Sequence, residues 1–191
     1  MTQTMWFLTR ATGIVALLLI FAAVADGLIF SGRTGGRLRP AWLMDLHRGL
    51  GGYALIFTGL HLATAFGADI GGGLATLFVP GAAPVSTGAY TLGVVAFYAI
   101  AVTVLSSWPK RRLGRRAWHL VHLLSIPAAV LAAVHAYQLG SDAREPLYLG
   151  LSALAAGVTM YPLGLRLTGL RARRAPHGAT AGPTGPSSTS S

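Results

Sequence analysis

Residues 46–61, LHRGLGGYALIFTGLH, decide how this chain is read: an apolar run bounded at each end by a histidine, His47 and His61. On a helix rising 1.5 Å per residue, these lie about 21 Å apart and within about 40° of the same face. Both fit inside a hydrocarbon core of roughly 30 Å. A later apolar run carries His122 and His135, thirteen residues apart, or about 20 Å along its axis. A lone histidine in a membrane helix is accounted for by a hydrogen bond to a neighbouring helix. Two pairs matched in depth on two helices are not, and ionisable residues within spans point to function. Each pair offers one neutral imidazole nitrogen from either side to a single iron. The spacing therefore predicts haem b held by His47 with His122 at one depth and by His61 with His135 at the other.

The surrounding composition supports a membrane setting. The chain is 53% hydrophobic and 10% charged, against about 25% charged in soluble domains. Five apolar stretches, near 7–30, 46–67, 89–108, 117–138 and 147–167, reach or approach the roughly 20 residues a crossing needs. The expected fold is all-α: a polytopic membrane bundle of about five transmembrane helices with haem between helices 2 and 4.

Fifteen Lys plus Arg against five Asp plus Glu leave a net charge of +10. The basic residues flank spans, which suits an anionic bilayer surface and argues against nucleic acid. Arg33, Arg37, Arg39 and Arg48 lie in one connection, Lys110, Arg111, Arg112, Arg115 and Arg116 in another, and Arg166, Arg171, Arg173 and Arg174 near the C-terminus. Residues 67–90 carry no basic residue, and 139–147 carry only Arg144 beside Asp142 and Glu145. By the positive-inside rule the protein is a multi-pass cell-membrane protein with its N-terminus outside and its C-terminus cytoplasmic. Trp6, Trp42, Trp108 and Trp118 fall near span ends, where indoles sit at headgroup level. A rival reading makes the first span a signal peptide ending at Ala23-Val24-Ala25, but it would strand Arg33, Arg37 and Arg39 outside.

There is no cysteine, which excludes disulfides, cysteine-ligated clusters and thioether-linked haem. Residues 1–170 are expected to form the membrane domain. The Pro-, Gly- and Ser-rich segment 171–191, with His177, is expected to be a disordered cytoplasmic tail. The connection 71–88 is Gly/Pro-rich, and its apolar patch Leu74 to Val79 is expected on the membrane surface. No convincing internal repeat is visible.

One geometric difficulty stands. Thirteen residues leave His122 and His135 about 140° apart on an ideal helix. Pro127 lies between them and supplies a kink. His119 is read as a propionate or headgroup partner. Gly49, Gly51, Gly52 and Gly59 are read as the small residues that admit a macrocycle or another helix. Arg48 and Arg10 are candidate partners for haem propionates, as are Arg115 and Arg116; most arginines are explained by anchoring alone. Asp26, near the cytoplasmic end of the first span, has no assigned role.

Three segments together resemble the ferric reductase-like transmembrane domain family. These are Leu8-Thr9-Arg10-Ala11-Thr12-Gly13, Leu46-His47-Arg48 with Leu60-His61, and Arg116-Ala117-Trp118 with His122, His135 and Gly140-Ser141-Asp142. They cover most of residues 6–145, and small bacterial stand-alone members are the nearest in kind. The family includes ferric reductases, NADPH oxidases and the haem-binding subunit of the methionine sulfoxide reductase system. The resemblance implies bis-histidine haem and electron transfer across the membrane. It carries ligand roles onto His47, His61, His122 and His135 and tolerates the thirteen-residue spacing. Large members add a flavin and nicotinamide domain. This chain has no GxGxxG and no room for one, so electrons must come from a separate donor, a quinol or a flavoprotein. Some bacterial relatives bind flavin or a single haem, which leaves one haem as the alternative to two.

Three functions compete at this point. The leading one is a b-type cytochrome delivering electrons to ferric iron or an extracytoplasmic acceptor, an oxidoreductase component without its own flavin domain. The second is a haem-binding membrane anchor for a separate extracytoplasmic reductase. The third, of another class, is a small transporter or structural membrane protein; apart from the histidines and Pro127, the polar or broken midplane helices of transporters are lacking.

Overall fold

The computed structural model describes residues 3–32, 41–107, 114–141 and 145–174. Arg33, Arg37, Arg39, Trp108, Lys110, Arg111, Arg112, Asp142 and Arg144 lie outside the described residues, as does the segment from 175 onward with His177. The helices are α1 (Gln3–Gly32), α2 (Ala41–Gly67), α3 (Leu74–Phe78), α4 (Thr87–Ser107), α5 (Arg115–Leu123), α6 (Ser125–Leu139) and α7 (Pro146–Arg174). The fold is an all-α membrane bundle, as expected.

Among the described residues, four helical stretches are long and apolar enough to cross a bilayer: Gln3–Ile29, Ala41–Gly67, Thr87–Ser107 and Arg115–Leu139, the last being α5 and α6 together. In α7 the apolar part is the shorter stretch Tyr148–Tyr161. Large apolar side chains cover the outside; Tyr53, Ile56 and Leu120 are all more than half exposed, as a lipid-facing surface requires. Five threonine hydroxyls on the helices are satisfied locally. The hydroxyls of Thr9, Thr12, Thr58, Thr64 and Thr159 each donate to the carbonyl four residues earlier, the cheapest solution where water is absent.

Two antiparallel pairings organise the bundle: α1 on α2 and α4 on α6, with α1 also meeting α6 and α7. Their shared core is Ile20, Val24 and Leu28 of α1, Ala54 of α2, Ile100 of α4, and Ala128 and Ala129 of α6. Alanines at the contacts let the backbones approach closely. Ala54 lies midway between His47 and His61, and Ala128 and Ala129 lie midway between His122 and His135. The core is thus an apolar plug between two histidine layers.

The connection after α2 does not simply lie on the surface. Leu74, Phe78 and Val79 are exposed, but Thr76 and Leu77 are buried. Gly71 has φ +87°, and a Cβ there would stand 2.7 Å from the Thr76 side chain, so only glycine fits. Thr76 donates to the Gly71 carbonyl at 2.7 Å, and the Tyr98 hydroxyl donates to the Phe78 carbonyl at 2.9 Å. The first bond closes the turn into α3 and the second fastens α3 to α4, as a roof over one end of the bundle.

Candidate haem-binding site

The structure brings the four histidines together in the pairs expected from their depths. The ring centroids of His47 and His122 are 5.7 Å apart, and those of His61 and His135 are 6.4 Å apart. Two imidazoles ligating one metal from opposite sides have centroids roughly 6–6.5 Å apart, twice a metal–nitrogen bond of about 2.0 Å plus the nitrogen-to-centre distance; the His61–His135 pair stands at that separation and the His47–His122 pair slightly inside it. Interplanar angles of 61° and 84° mean that neither pair is stacked face to face, an arrangement that would turn the nitrogens away from a shared iron.

The fourth span breaks between the two histidines that are thirteen residues apart. Helix α5 ends at Leu123 and α6 begins at Ser125. At the junction the Leu124 N–H bonds to the Val121 carbonyl at 3.1 Å, a three-residue reach. Pro127 has no N–H to return to the Leu123 carbonyl, which removes one α-helical bond at this point. A 3₁₀ step turns about 120° instead of about 100°. Thirteen α-helical residues fall about 140° short of four full turns, so this one step closes about 20° of the offset.

Nδ1 of each ring faces a protein group, within hydrogen-bond distance for three of the four. That of His61 donates to the Thr9 carbonyl and that of His135 to the Ala89 carbonyl, both at 2.8 Å. Carbonyls only accept, so the proton is on Nδ1 and Nε2 keeps its lone pair, the tautomer a metal ligand needs. His47 Nδ1 is 3.5 Å from Asp26 Oδ2, and His122 Nδ1 is 3.4 Å from Ser107 Oγ. Trp118 stacks on His122, with centroids 4.9 Å apart and planes 19° apart.

Three glycines let these rings approach the neighbouring helices; Gly13 closes the first segment of the resemblance, while Gly27 and Gly93 were not singled out from the sequence. A Cβ on Gly13 would stand 2.9 Å from His61 Nδ1, one on Gly27 would stand 3.0 Å from His47 Cε1, and one on Gly93 would stand 2.6 Å from the His135 ring. Thr9 and Ala89, the carbonyl partners, each lie four residues before their glycine. Such a carbonyl already accepts the helix's own N–H, and its second lone pair becomes reachable when no Cβ covers it. By contrast, Gly49, Gly52 and Gly59 have no atom within 4 Å of an added Cβ, and Gly51 meets only Val104 at 3.9 Å. A signal for the right glycines was present. Gly13 and Gly27 are fourteen residues apart, like His47 and His61, so antiparallel pairing of the first two helices sets each glycine against one ring.

The His61–His135 layer opens into a cavity of ≈ 350 Å³, within the usual range for a ligand pocket of about 300–1,000 Å³. Thr9, Arg10, Gly13, Tyr90, Gly93 and Tyr148 line it with the two histidines, and Thr76 and Leu77 of α3 close its roof. Arg10 also lies 4.2 Å over the Trp6 ring. Arg48 is elsewhere: it is exposed and pairs with Asp45 at 3.7 Å, a surface contact of small energetic weight. Arg115, Arg116 and His119 are exposed as well.

The paired rings, the groups that face their Nδ1 atoms and the adjoining cavity define a class, a helical membrane protein with two layers of facing imidazoles. The family model described as "Ferric reductase like transmembrane component" matches residues 9–133, and the chain belongs to that family. It is 34% identical over 146 residues to the "Protein-methionine-sulfoxide reductase heme-binding subunit MsrQ" of Xanthomonas oryzae pv. oryzae, covering 73% of this chain and 64% of that relative. Its likeness to the protein of the same name from Xanthomonas campestris pv. campestris is 33% over 122 residues, 61% of this chain and 54% of the relative. The chain thus spans a little over half to under two-thirds of the length of these relatives. No solved structure matches it.

Proposed function

We propose that this protein is a transmembrane b-type cytochrome that passes electrons across the membrane through two bis-histidine haems. His47 and His122 hold the inner haem, and His61 and His135 the outer one. The N-terminus is outside and the C-terminus cytoplasmic in the cell membrane, in accord with the basic connections. The observation that carries this reading is the pair of ring separations, 5.7 and 6.4 Å, at two depths. Haem b, when bound, supplies a one-electron Fe(III)/Fe(II) couple. The residues of the chain do the rest. Carbonyl acceptors fix the tautomers of His61 and His135, Gly13, Gly27 and Gly93 seat the rings, and the Ile20–Ala54–Ala128 core keeps water from the space between the layers. Arg10, at the outer cavity, suits a propionate. A separate donor, a quinol or a flavoprotein, supplies electrons, and ferric iron or an extracytoplasmic protein accepts them.

The names of the relatives favour one specific form of this reading: a haem-binding subunit that serves a separate extracytoplasmic reductase. Co-purification with a soluble redox protein distinguishes it from a reductase acting directly on ferric iron.

The test is purification in detergent, with oxidised and dithionite-reduced spectra and a pyridine haemochrome assay. Two six-coordinate haems b per chain are expected, and alanine at His47, His61, His122 or His135 should each remove about one. Protein that stays colourless after expression with added haem overturns the reading.

A further inference from the structure

The four histidines differ in what accepts from Nδ1. At the outer layer both acceptors are neutral backbone carbonyls at 2.8 Å. At the inner layer His122 faces a neutral serine hydroxyl, while His47 alone faces a carboxylate, Asp26, at 3.5 Å. Asp26 is 8% exposed. Its Oδ2 and His47 Nδ1 are both buried without a hydrogen-bond partner among the described residues. A buried carboxylate oxygen and a buried ring nitrogen left unpaired are costly, and a closure of a few tenths of an ångström satisfies both. Gly27, the next residue, holds the ring at that place: a Cβ there would be 3.0 Å from His47 Cε1.

We infer that Asp26 is a positioning residue of the inner haem site, accepting the His47 Nδ1 proton in a hydrogen bond and setting the inner haem's reduction potential below that of the outer one. This rests on the two-haem reading above. A carboxylate acceptor makes the imidazole a stronger donor through Nε2. Stronger donation, and negative charge near the iron, favour Fe(III) over Fe(II) and so lower the potential. The outer rings, held by neutral carbonyls, receive less of this effect. Electrons entering on the cytoplasmic side therefore run downhill to the outer haem, and the direction of flow is written into the acceptors behind the ligands.

The experiment is a potentiometric titration of the purified full chain, following the haem absorbance, for the wild type, Asp26→Asn and Asp26→Glu, with haem counted in each. His61→Ala, which keeps only the inner pair, assigns the inner component. The wild type is expected to show two components with the inner one lower. Asp26→Asn should raise the inner potential and leave the outer in place; Asp26→Glu should restore the wild-type order. If Asp26→Asn instead loses the inner haem and Asp26→Glu recovers it, the positioning role stands. Two haems with potentials unmoved in Asp26→Asn overturn this inference alone. Loss of both haems in both variants also overturns it, because that marks a general packing role. A wild type holding no inner haem overturns the two-haem reading and this inference together.

Discussion

On the proposed reading, the outer layer (His61 and His135) and the inner layer (His47 and His122) do the same job with different materials. Outside, main chain holds the rings: two carbonyls at 2.8 Å and a glycine against each imidazole. Inside, side chains hold them: Asp26 behind His47, Ser107 and stacked Trp118 around His122, and one glycine. A carbonyl within a helix moves little and carries no net charge, so the outer layer is rigid and hard to alter except through its glycines. The inner layer can be tuned one side chain at a time. The two outer halves, Thr9/Gly13/His61 and Ala89/Gly93/His135, repeat one local device on two helix pairs. No repeat is visible in the sequence because the device uses a backbone atom and the absence of a side chain.

The sharpest way to break this comparison is Gly93→Val. A Cβ at Gly93 would lie 2.6 Å from both Cε1 and Nδ1 of His135, and the ring, tied to the Ala89 carbonyl, cannot yield without losing that bond. Loss of the outer haem is expected, halving the haem count, while the inner haem stays. The pyridine haemochrome assay reads this directly. A milder change on the inner side, Gly27→Ala, meets one edge atom at 3.0 Å. It should weaken the inner haem no more than the loss of an outer-shell partner does, about 10–100-fold in affinity. Equal losses from the two variants would mean the layers are not built differently.

A second, smaller effect probes the break between α5 and α6. Pro127→Ala returns an N–H to the Leu123 carbonyl and favours a continuous helix. The 3₁₀ step then relaxes toward an α-helical one, which turns His122 relative to His135 by about 20°. His135 is anchored to α4 through Ala89, so the drift falls on His122, whose partner Ser107 is a looser 3.4 Å away. Partial loss of the inner haem with the outer retained is expected. Full retention of both would show that packing, not Pro127, sets the break.

Much of this could be read in advance. The apolar stretches located the helices, and matched separations of fourteen and thirteen paired His47 with His122 and His61 with His135. What could not be read depends on which face meets which helix. Asp26 looked like an unexplained charge because its partner, His47, lies on another helix at a register that only packing defines. Arg48, next in sequence to a ligand candidate, points away to Asp45, since adjacent residues on a helix stand about 100° apart. The apolar segment Leu74 to Val79 keeps Leu74, Phe78 and Val79 exposed but turns Thr76 and Leu77 inward, because a glycine-built turn at Gly71 folds it back.

The smallest expected effect is the control for the whole comparison. Gly59 lies two residues before His61, roughly 160° away from it around the helix, is exposed, and has nothing within 4 Å of an added Cβ. If glycines matter here because they let rings reach a neighbouring backbone, Gly59→Ala should leave both haems and both potentials untouched. It should also raise thermal stability slightly, since alanine is favoured over glycine within a helix by roughly 0.5–1 kcal/mol. A haem loss comparable to that from Gly93→Val would show that small size along α2, not seating of the rings on α1 and α4, is what the site requires. The difference between Gly59 and Gly93 therefore tests the construction of the site without touching a histidine.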